Sequence, residues 1–342
     1  MNIIVTACQV PFIAGGANHQ VNGLVTALQH AGHHVELLRF PFQFQPAASV
    51  LSLMTFCEQL DLSRPNGQRV DRLISLQFPG YGVTHPHHIV WVMHQFRAVY
   101  ELFDSKTATP ESLNMRETVI DYDNRVLARA RRRFAESARV AERLSHFNGL
   151  DSDPLLHPPA FATHFRWAEP EPYVFYPSRV ENLKRQSLLI EAARHLRSPV
   201  AILIAGTGGL TDHCRQLIIR YGLEHRVRLL GHVSEAEKIA FYAHALAVFF
   251  GPFDEDYGYI TLEAMLSSKP VITCTDSGGP LEFVIEGETG RIVPPLPETI
   301  AEAIDALHGN PQTAIEMGRA GRDRYQRLDI NWESTITRLL DA

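Results

Sequence analysis

The chain has 342 residues, 45% of them apolar and 20% charged, with a net charge of −6. At roughly 150 residues per domain, that length suggests two domains. The acidic excess argues against a general nucleic-acid binder, whose phosphate contacts need a basic surface. The longest apolar runs, 200–205 and 245–250, fall far below the roughly 20 residues of a membrane span. The opening Met1-Asn2-Ile3-Ile4-Val5 lacks a basic stretch and a cleavage site, so no secretory leader and a cytoplasmic location are expected. Cys8, Cys57, Cys214 and Cys274 stand far apart and fit reduced thiols. Of the 32 basic residues only Lys106, Lys184, Lys238 and Lys269 are lysines, so a lysine at a site is informative here.

The elements alternate along the chain. Asn2–Cys8 is a β-rich run, and 21–31 has a helical rhythm with Leu24, Leu28 and Ala31 on one face. Strands are expected at 34–39, 71–76 and 89–93, then a polar, charged helix over 111–133. Five prolines between 151 and 172 interrupt regular structure and read as an interdomain linker. Strands follow at 173–176, 200–205, 227–230, 245–250 and 271–274. Helices are expected at 183–196, 212–221, 235–244, 258–267, 298–307 and 330–340. Repeated βα units imply parallel sheets covered by helices. The expected division is 1–168, 169–325 and a terminal helix at 326–342 that packs back on the first domain. Two doubly wound domains facing each other would place a ligand at their strands' carboxyl ends, in one cleft.

Four places could carry chemistry. Gly15-Gly16 follows the first strand, where backbone N–H groups can meet an anion at a helix start. A flexible loop is the plainer reading. Gly206-Thr207-Gly208-Gly209 follows the strand at 200–205, but Thr211 breaks the G-x-G-x-x-G fingerprint, which disfavours a nicotinamide enzyme. Arg179 and Lys184 follow the strand at 173–176 and make a diphosphate clamp; two solvated surface cations are the alternative. The richest stretch is 249–265, where a strand enters the acidic loop Asp254-Glu255-Asp256 and, past Gly258, a helix carrying Glu263. Carboxylates there can accept hydrogen bonds from vicinal hydroxyls, as a ribose presents them. The same residues match a D-x-D metal pattern, an acid–base pair of a glycosidase, or plain dipole-favoured helix-start acids.

Taken together, Ser178-Arg179-Val180-Glu181-Asn182-Leu183-Lys184, the glycine loop at Gly206, Leu230-Gly231-His232-Val233, Glu255-x7-Glu263-Ala264-Met265, and Lys269-Pro270-Val271-Ile272 with Gly278-Gly279 resemble glycosyltransferase family 4. The resemblance is dense over 173–295 and thinner in the first half, at Gly15-Gly16, the Gly32–Val35 turn and Phe134-Ala135-Glu136-Ser137. It implies an α/β chain of the GT-B fold, with two Rossmann-like domains, and a retaining, metal-independent transfer of a hexose from a nucleotide sugar. By resemblance, Arg179 and Lys184 hold the donor diphosphate, Glu263 the ribose hydroxyls and Glu255 the transferred sugar. Asp256, Tyr257, Gly258, Tyr259 and Ile260 line sugar and phosphates, with Gly15, Gly16, Gly208, Val233 and Gly279 at the donor's margins. Arg185 departs from the resemblance, standing where the family often has Gly after the Lys, and Gly251 stands where Ser is common.

The resemblance implies attack from the leaving-group face, with a diphosphate oxygen taking the acceptor's proton. No cofactor or metal is then expected. His94, at the end of the strand 89–93, is the candidate contact to the donor sugar, against a structural role. His85, His87 and His88 form a tighter cluster, but a zinc site is disfavoured in an apparent loop containing Pro86. Arg125, Arg129, Arg131, Arg132, Arg133, Arg139 and Arg143 form the basic concentration. It reads as a solvated face, with peripheral contact to anionic lipid as the alternative. Tyr81, Trp91, Phe96, Tyr100 and Phe103 are candidates for an acceptor groove or for core. The implied acceptor is a glycan or lipid-linked saccharide in cell-surface polysaccharide or lipopolysaccharide synthesis. The competing functions are a GT-B relative with epimerase or phosphorylase chemistry, and a non-catalytic sugar-nucleotide scaffold. The sequence does not choose among UDP-, GDP-, ADP- and TDP-sugars; GDP-mannose is the working guess.

Overall fold

The computed structural model describes residues 1–12 and 15–341, and the chain divides into two compact units. Unit 1 comprises 1–157 and 330–342; unit 2 comprises 158–329.

Unit 1 runs β1 (Asn2–Gln9), α1 (Gly16–His30), β2 (His34–Pro41), α2 (Ala47–Gln59), β3 (Arg72–Ser75), β4 (His88–Val92), α3 (Pro110–Ala128), β5 (Arg132–Ala135), α4 (Ala138–Asn148) and β6 (Asp153–Pro154). All strands pair in parallel, in the order β2-β1-β3-β4-β5-β6. Both faces of the sheet are buried, and the pleat sorts alternate residues between them. Ile3, Val5, Ala7, Ile74, Ile89, Trp91 and Met93 pack into one core. Ile4, Cys8, Leu73, Val90 and Val92 pack into the other.

Unit 2 runs β7 (Tyr173–Pro177), α5 (Gln186–Ala192), β8 (Ala201–Ala205), α6 (Thr211–Arg220), β9 (Val227–Gly231), α7 (Glu235–His244), β10 (Ala247–Phe249), α8 (Tyr259–Leu266), β11 (Val271–Cys274), α9 (Pro280–Phe283), β12 (Gly290–Val293), α10 (Pro297–Gly309) and α11 (Pro311–Arg327). Its strand order is β12-β11-β10-β7-β8-β9, again parallel. α12 (Trp332–Leu340) returns to unit 1, where Ile336 and Leu339 join the first core and the Thr335 hydroxyl donates to the Leu156 carbonyl at 2.9 Å.

Three features differ from the sequence expectation. The chain changes unit at 157/158 rather than 168/169. Unit 2 claims the proline-rich stretch because Ala168 N–H donates to Ala243 O at 3.0 Å and buried Lys269 donates to Ala168 O at 2.8 Å. The helix expected to reach residue 133 stops at Ala128, and Arg132–Ala135 forms β5, whose Phe134 and Ala135 are buried beside β4. Its outward arginines obscure the strand, and the helix α4 that follows, capped by Ser137 Oγ accepting from Val140 N–H at 3.1 Å, is not expected either. Finally, α2, α4, β6, α9, β12 and α11 have no counterpart in the sequence reading.

Among the described residues no helix is long and apolar enough to cross a membrane.

Candidate active site

In unit 2 the chemistry-bearing residues gather beyond the carboxyl ends of β7, β8, β9, β10 and β11. β7 and β10 are neighbours, so the loops leaving them lie side by side.

The loop after β7 carries Arg179 and Lys184. Lys184 does not open a long helix as expected. It closes a 3-10 turn, Asn182–Lys184, and Arg185 follows with φ 55° before α5 begins. That left-handed backbone costs a side-chain-bearing residue about 1–2 kcal/mol. Lys184 Nζ reaches Glu255 Oε2 at 2.5 Å, in a pair about one-fifth exposed or less. Arg179 pairs with Glu181 at 2.7 Å and is half exposed. Arg185 meets both oxygens of Asp276, at 2.8 and 2.7 Å, and its guanidinium lies 5.0 Å from the centre of the Phe253 ring.

The acidic loop is held by backbone on both sides. Phe253 N–H donates to Leu183 O at 2.8 Å, Asp254 N–H to Asp276 O at 2.9 Å and Glu255 N–H to Ser277 O at 2.9 Å. Gly279 N–H returns a bond to Glu255 O at 2.8 Å. Gly278 has φ 72°, and a Cβ there would stand 2.5 Å from the Glu255 carbonyl, so this close approach needs glycine. Asp256, Tyr259 and Ile260 are half-buried; Tyr257 is buried, edge-on to Tyr259 and Phe283. The Tyr257 side chain is therefore core, and only its backbone is left for a ligand. Gly258 caps α8 in the left-handed region.

Glu263, on α8, is buried and doubly held. Tyr242 OH donates to Oε2 at 2.6 Å and Lys238 Nζ to Oε1 at 3.1 Å. Lys238 also meets Glu235 at 2.8 Å. Burial works against the Lys238 charge, but the two carboxylates outweigh it and raise its pKa. A carboxylate accepts about four hydrogen bonds, so Glu263 retains capacity for a diol. Sequence reasoning missed Lys238, Tyr242 and Asp276. Lys238 had a signal: a scarce lysine, with 235, 238 and 242 on one helical face.

The glycine loop after β8 serves packing. Gly206 has φ 122°, and a Cβ there would lie 2.0 Å from the Ser178 carbonyl. Val180 N–H donates to Thr207 O at 3.0 Å, locking this loop to the one bearing Arg179. Gly208 is exposed, and its N–H donates to Thr211 Oγ1 at 3.0 Å. Val233 is half-buried just before Ser234, the cap of α7.

The remaining candidates lie in unit 1. Gly15 is the N-cap of α1 and Gly16 its first residue. His94 is half-buried after β4, its Nδ1 2.7 Å from the Gln95 carbonyl. His87 backbone N–H donates to His85 Nδ1 at 2.9 Å, and the other ring nitrogens of the histidine cluster meet separate partners. His85 meets Val70 O at 3.2 Å, His87 meets Arg131 at 3.1 Å, and buried His88 meets Ser75 Oγ at 2.7 Å. Burial lowers His88 to about 3, so it is neutral. Among the described residues no three His, Cys, Asp or Glu side chains are grouped to hold a metal. The arginine concentration is largely paired within the unit: Arg125 with Glu58 at 2.8 Å, Arg132 with Asp153 at 2.6 Å, Arg139 with Glu142 at 3.1 Å and buried Arg143 with Glu101 at 3.4 Å. Tyr81, Trp91, Phe96 and Tyr100 are buried core; Phe103 is half-buried beneath Arg116.

Residues 161–324, nearly the whole of unit 2, match the family model described as glycosyl transferases group 1. The chain is similar to D-inositol 3-phosphate glycosyltransferase of Pseudarthrobacter chlorophenolicus, 26% identical over 397 aligned positions that cover 96% of this chain and 90% of that protein. The chain is a glycosyltransferase. A shorter stretch, 104 residues or 30% of the chain, is 35% identical to 24% of the alpha-1,3/1,6-mannosyltransferase ALG2 of Dictyostelium discoideum. Among solved structures, sucrose-phosphate synthase from Thermosynechococcus elongatus superposes with TM-score 0.81 at 20% identity, covering 100% of this glycosyltransferase and 98% of that chain. Anabaena HepE in complex with UDP-glucose superposes with TM-score 0.74 at 15% identity, covering 100% and 98%. These likenesses show the GT-B fold, with its two parallel-sheet α/β halves.

Proposed function

We propose that this glycosyltransferase moves a hexose from a nucleotide sugar to a saccharide or lipid-linked saccharide, with retention at the anomeric carbon and without a metal. The observation that carries the reading is the contact of Lys184 with Glu255 at 2.5 Å. It places a cation suited to a diphosphate against a carboxylate suited to sugar hydroxyls, at the carboxyl ends of neighbouring strands. A relative solved with UDP-glucose supports the donor class.

Binding then exchanges partners. The donor diphosphate takes Lys184, and Arg179 adds a second positive charge from its half-exposed position. Glu255, released from Lys184, accepts from hydroxyls of the hexose. Glu263, braced by Lys238 and Tyr242, accepts from the ribose diol. Backbone of 256–260, with Gly208, Val233 and Gly279, frames the donor.

In the chemical step the bond from the anomeric carbon to the β-phosphate oxygen breaks, and a bond to the acceptor hydroxyl oxygen forms on the same face. The hydroxyl proton passes to the departing diphosphate. Lys184 and Arg179 stabilise the charge that builds there, a contribution realised in the transition state.

The test is calorimetric titration with UDP, GDP, ADP and TDP and their hexose conjugates. One nucleotide should bind, and Glu263→Ala should weaken it at least 100-fold. Unchanged affinity in that variant would sink the ribose assignment. Turnover abolished by chelator and restored by a divalent cation would return the acidic loop to metal binding.

A further inference from the structure

We propose that Arg185 is a positioning residue that fixes the acidic loop, and through it Glu255, in register with the transferred sugar. The inference rests on the assignment of Glu255 given above and adds to it the device that sets sugar selectivity.

Two adjacent cations, Lys184 and Arg185, point to different carboxylates. Lys184 holds Glu255 by one contact, which a diphosphate can replace. Arg185 holds Asp276 by two parallel bonds of 2.8 and 2.7 Å, the fork geometry that fits a guanidinium to a carboxylate. Asp276 is also a backbone anchor of the acidic loop, since its carbonyl accepts from Asp254 N–H at 2.9 Å. The next residue, Ser277, accepts from Glu255 N–H at 2.9 Å. On the loop's other margin, Phe253 lies 5.0 Å from the guanidinium. One side chain therefore ties the loop after β7 to the loop after β11, with the acidic loop between them.

The backbone at Arg185 strengthens the case. Its φ of 55° suits glycine, so an arginine there is held against local preference. Glycine would satisfy the turn alone, and the arginine adds the clasp. When the diphosphate draws Lys184 away, the Arg185–Asp276 pair remains and keeps Glu255 from drifting.

The experiment compares Arg185→Gly, Arg185→Lys and Asp276→Asn with the parent. Glycine is at home in this backbone conformation, so Arg185→Gly should fold and melt within a few degrees of the parent. Probes are affinity for the free nucleoside diphosphates, and their release from UDP-, GDP-, ADP- and TDP-hexoses with water as acceptor. We expect Arg185→Gly and Asp276→Asn each to lower kcat at least 10-fold, leave nucleoside diphosphate affinity within twofold, and narrow the rate ratio between epimeric hexoses. Arg185→Lys should restore part of the loss, and combining Arg185→Gly with Asp276→Asn should add little to either. Parent-like kcat and selectivity in Arg185→Gly would overturn the proposal, as would a large drop in melting temperature that accounts for the lost rate. Glu255→Gln separates the two readings. If it keeps parental turnover, the Glu255 assignment itself fails. If it loses turnover while Arg185→Gly does not, only the positioning role fails.

Discussion

The two units carry opposite chemistry around the carboxyl ends of their parallel strands. Beyond β7, β10 and β11 the loops of unit 2 present ion pairs that are partly open to solvent, Lys184–Glu255 and Arg179–Glu181 among them. Around the loops beyond β3 and β4, unit 1 instead builds a buried network. Tyr81 OH and Tyr100 OH each donate to Asp123 at 2.7 Å, Asn148 donates to Tyr100 OH at 3.2 Å, and Gln95 bonds to Asn148. Phe78 and Phe96 stack beside it, their centres 5.2 Å apart. Burial lifts Asp123 to about 7, partly opposed by its two phenol donors. An ion pair with a path to solvent can exchange a partner for a ligand. A dry carboxyl between two phenols cannot do so without leaving hydroxyls unsatisfied. Unit 2 is thus arranged for exchange at its sheet edge, and unit 1 for holding its loops in one shape.

The largest test of that contrast is Lys184→Ala. Removing a cation from the departing diphosphate should lower kcat/KM by about 100- to 1000-fold, or about 3–4 kcal/mol of transition-state stabilisation, with little change in melting. Wild-type turnover would take Lys184 out of the mechanism. Asp123→Ala inverts the pattern. Two buried hydroxyls lose their acceptor, so unit 1 should lose about 2–4 kcal/mol in a urea titration, while nucleotide affinity, assigned to unit 2, stays close to the parent. An equal loss of nucleotide affinity would contradict the division.

Acid should strike unit 1 first. Burial lowers His88 and His157 to about 3 against a usual value near 6.5, so the folded state holds them neutral. Through these two groups the unfolded chain binds more protons between those values, and stability present at pH 7 is lost as pH falls from about 6.5 toward 3. Asp123, raised to about 7 in the same unit, binds its proton in the folded state first and offsets about half of that loss down to about pH 4. In a Trp167→Phe protein, Trp91 and Trp332, whose rings lie 5.1 and 5.9 Å from His157, report unit 1 by fluorescence. A flat signal over that window would refute the assignment. The smallest effect belongs to Arg132→Ala. Its pair with Asp153 is half exposed on both sides, so a loss of only about 0.2–1 kcal/mol is expected by thermal melting.

Much of this was legible beforehand. The buried strands of unit 2 read directly as short runs of Val, Ile, Leu and Phe, and α7 began and ended where its pattern did. Arg179, Lys184, Glu255 and Glu263, whose donor roles are proposed above, were nominated by residue type and by their place in the loops and helix start that follow a strand. β5 was not, because its exposed arginines imitate a polar helix and only pairing with β4 exposes the strand. Nor was the rim of the site: Asp276 lies 91 residues from Arg185 and Lys238 lies 25 from Glu263.

The sequence by itself determined the alternation of strand and helix and the parallel character of the sheets, and it nominated the residues proposed to bind a donor. The alternation and the parallel sheets follow from local burial period, which a window of ten or so residues contains, and the donor residues are those that side-chain chemistry and resemblance nominate for the proposal. Only the tertiary structure decided which charges meet, where the chain leaves one unit for the other, and why Arg185 tolerates a left-handed turn. Such contacts depend on which strands become neighbours, and strand order is set by the packing of whole layers rather than by any local pattern.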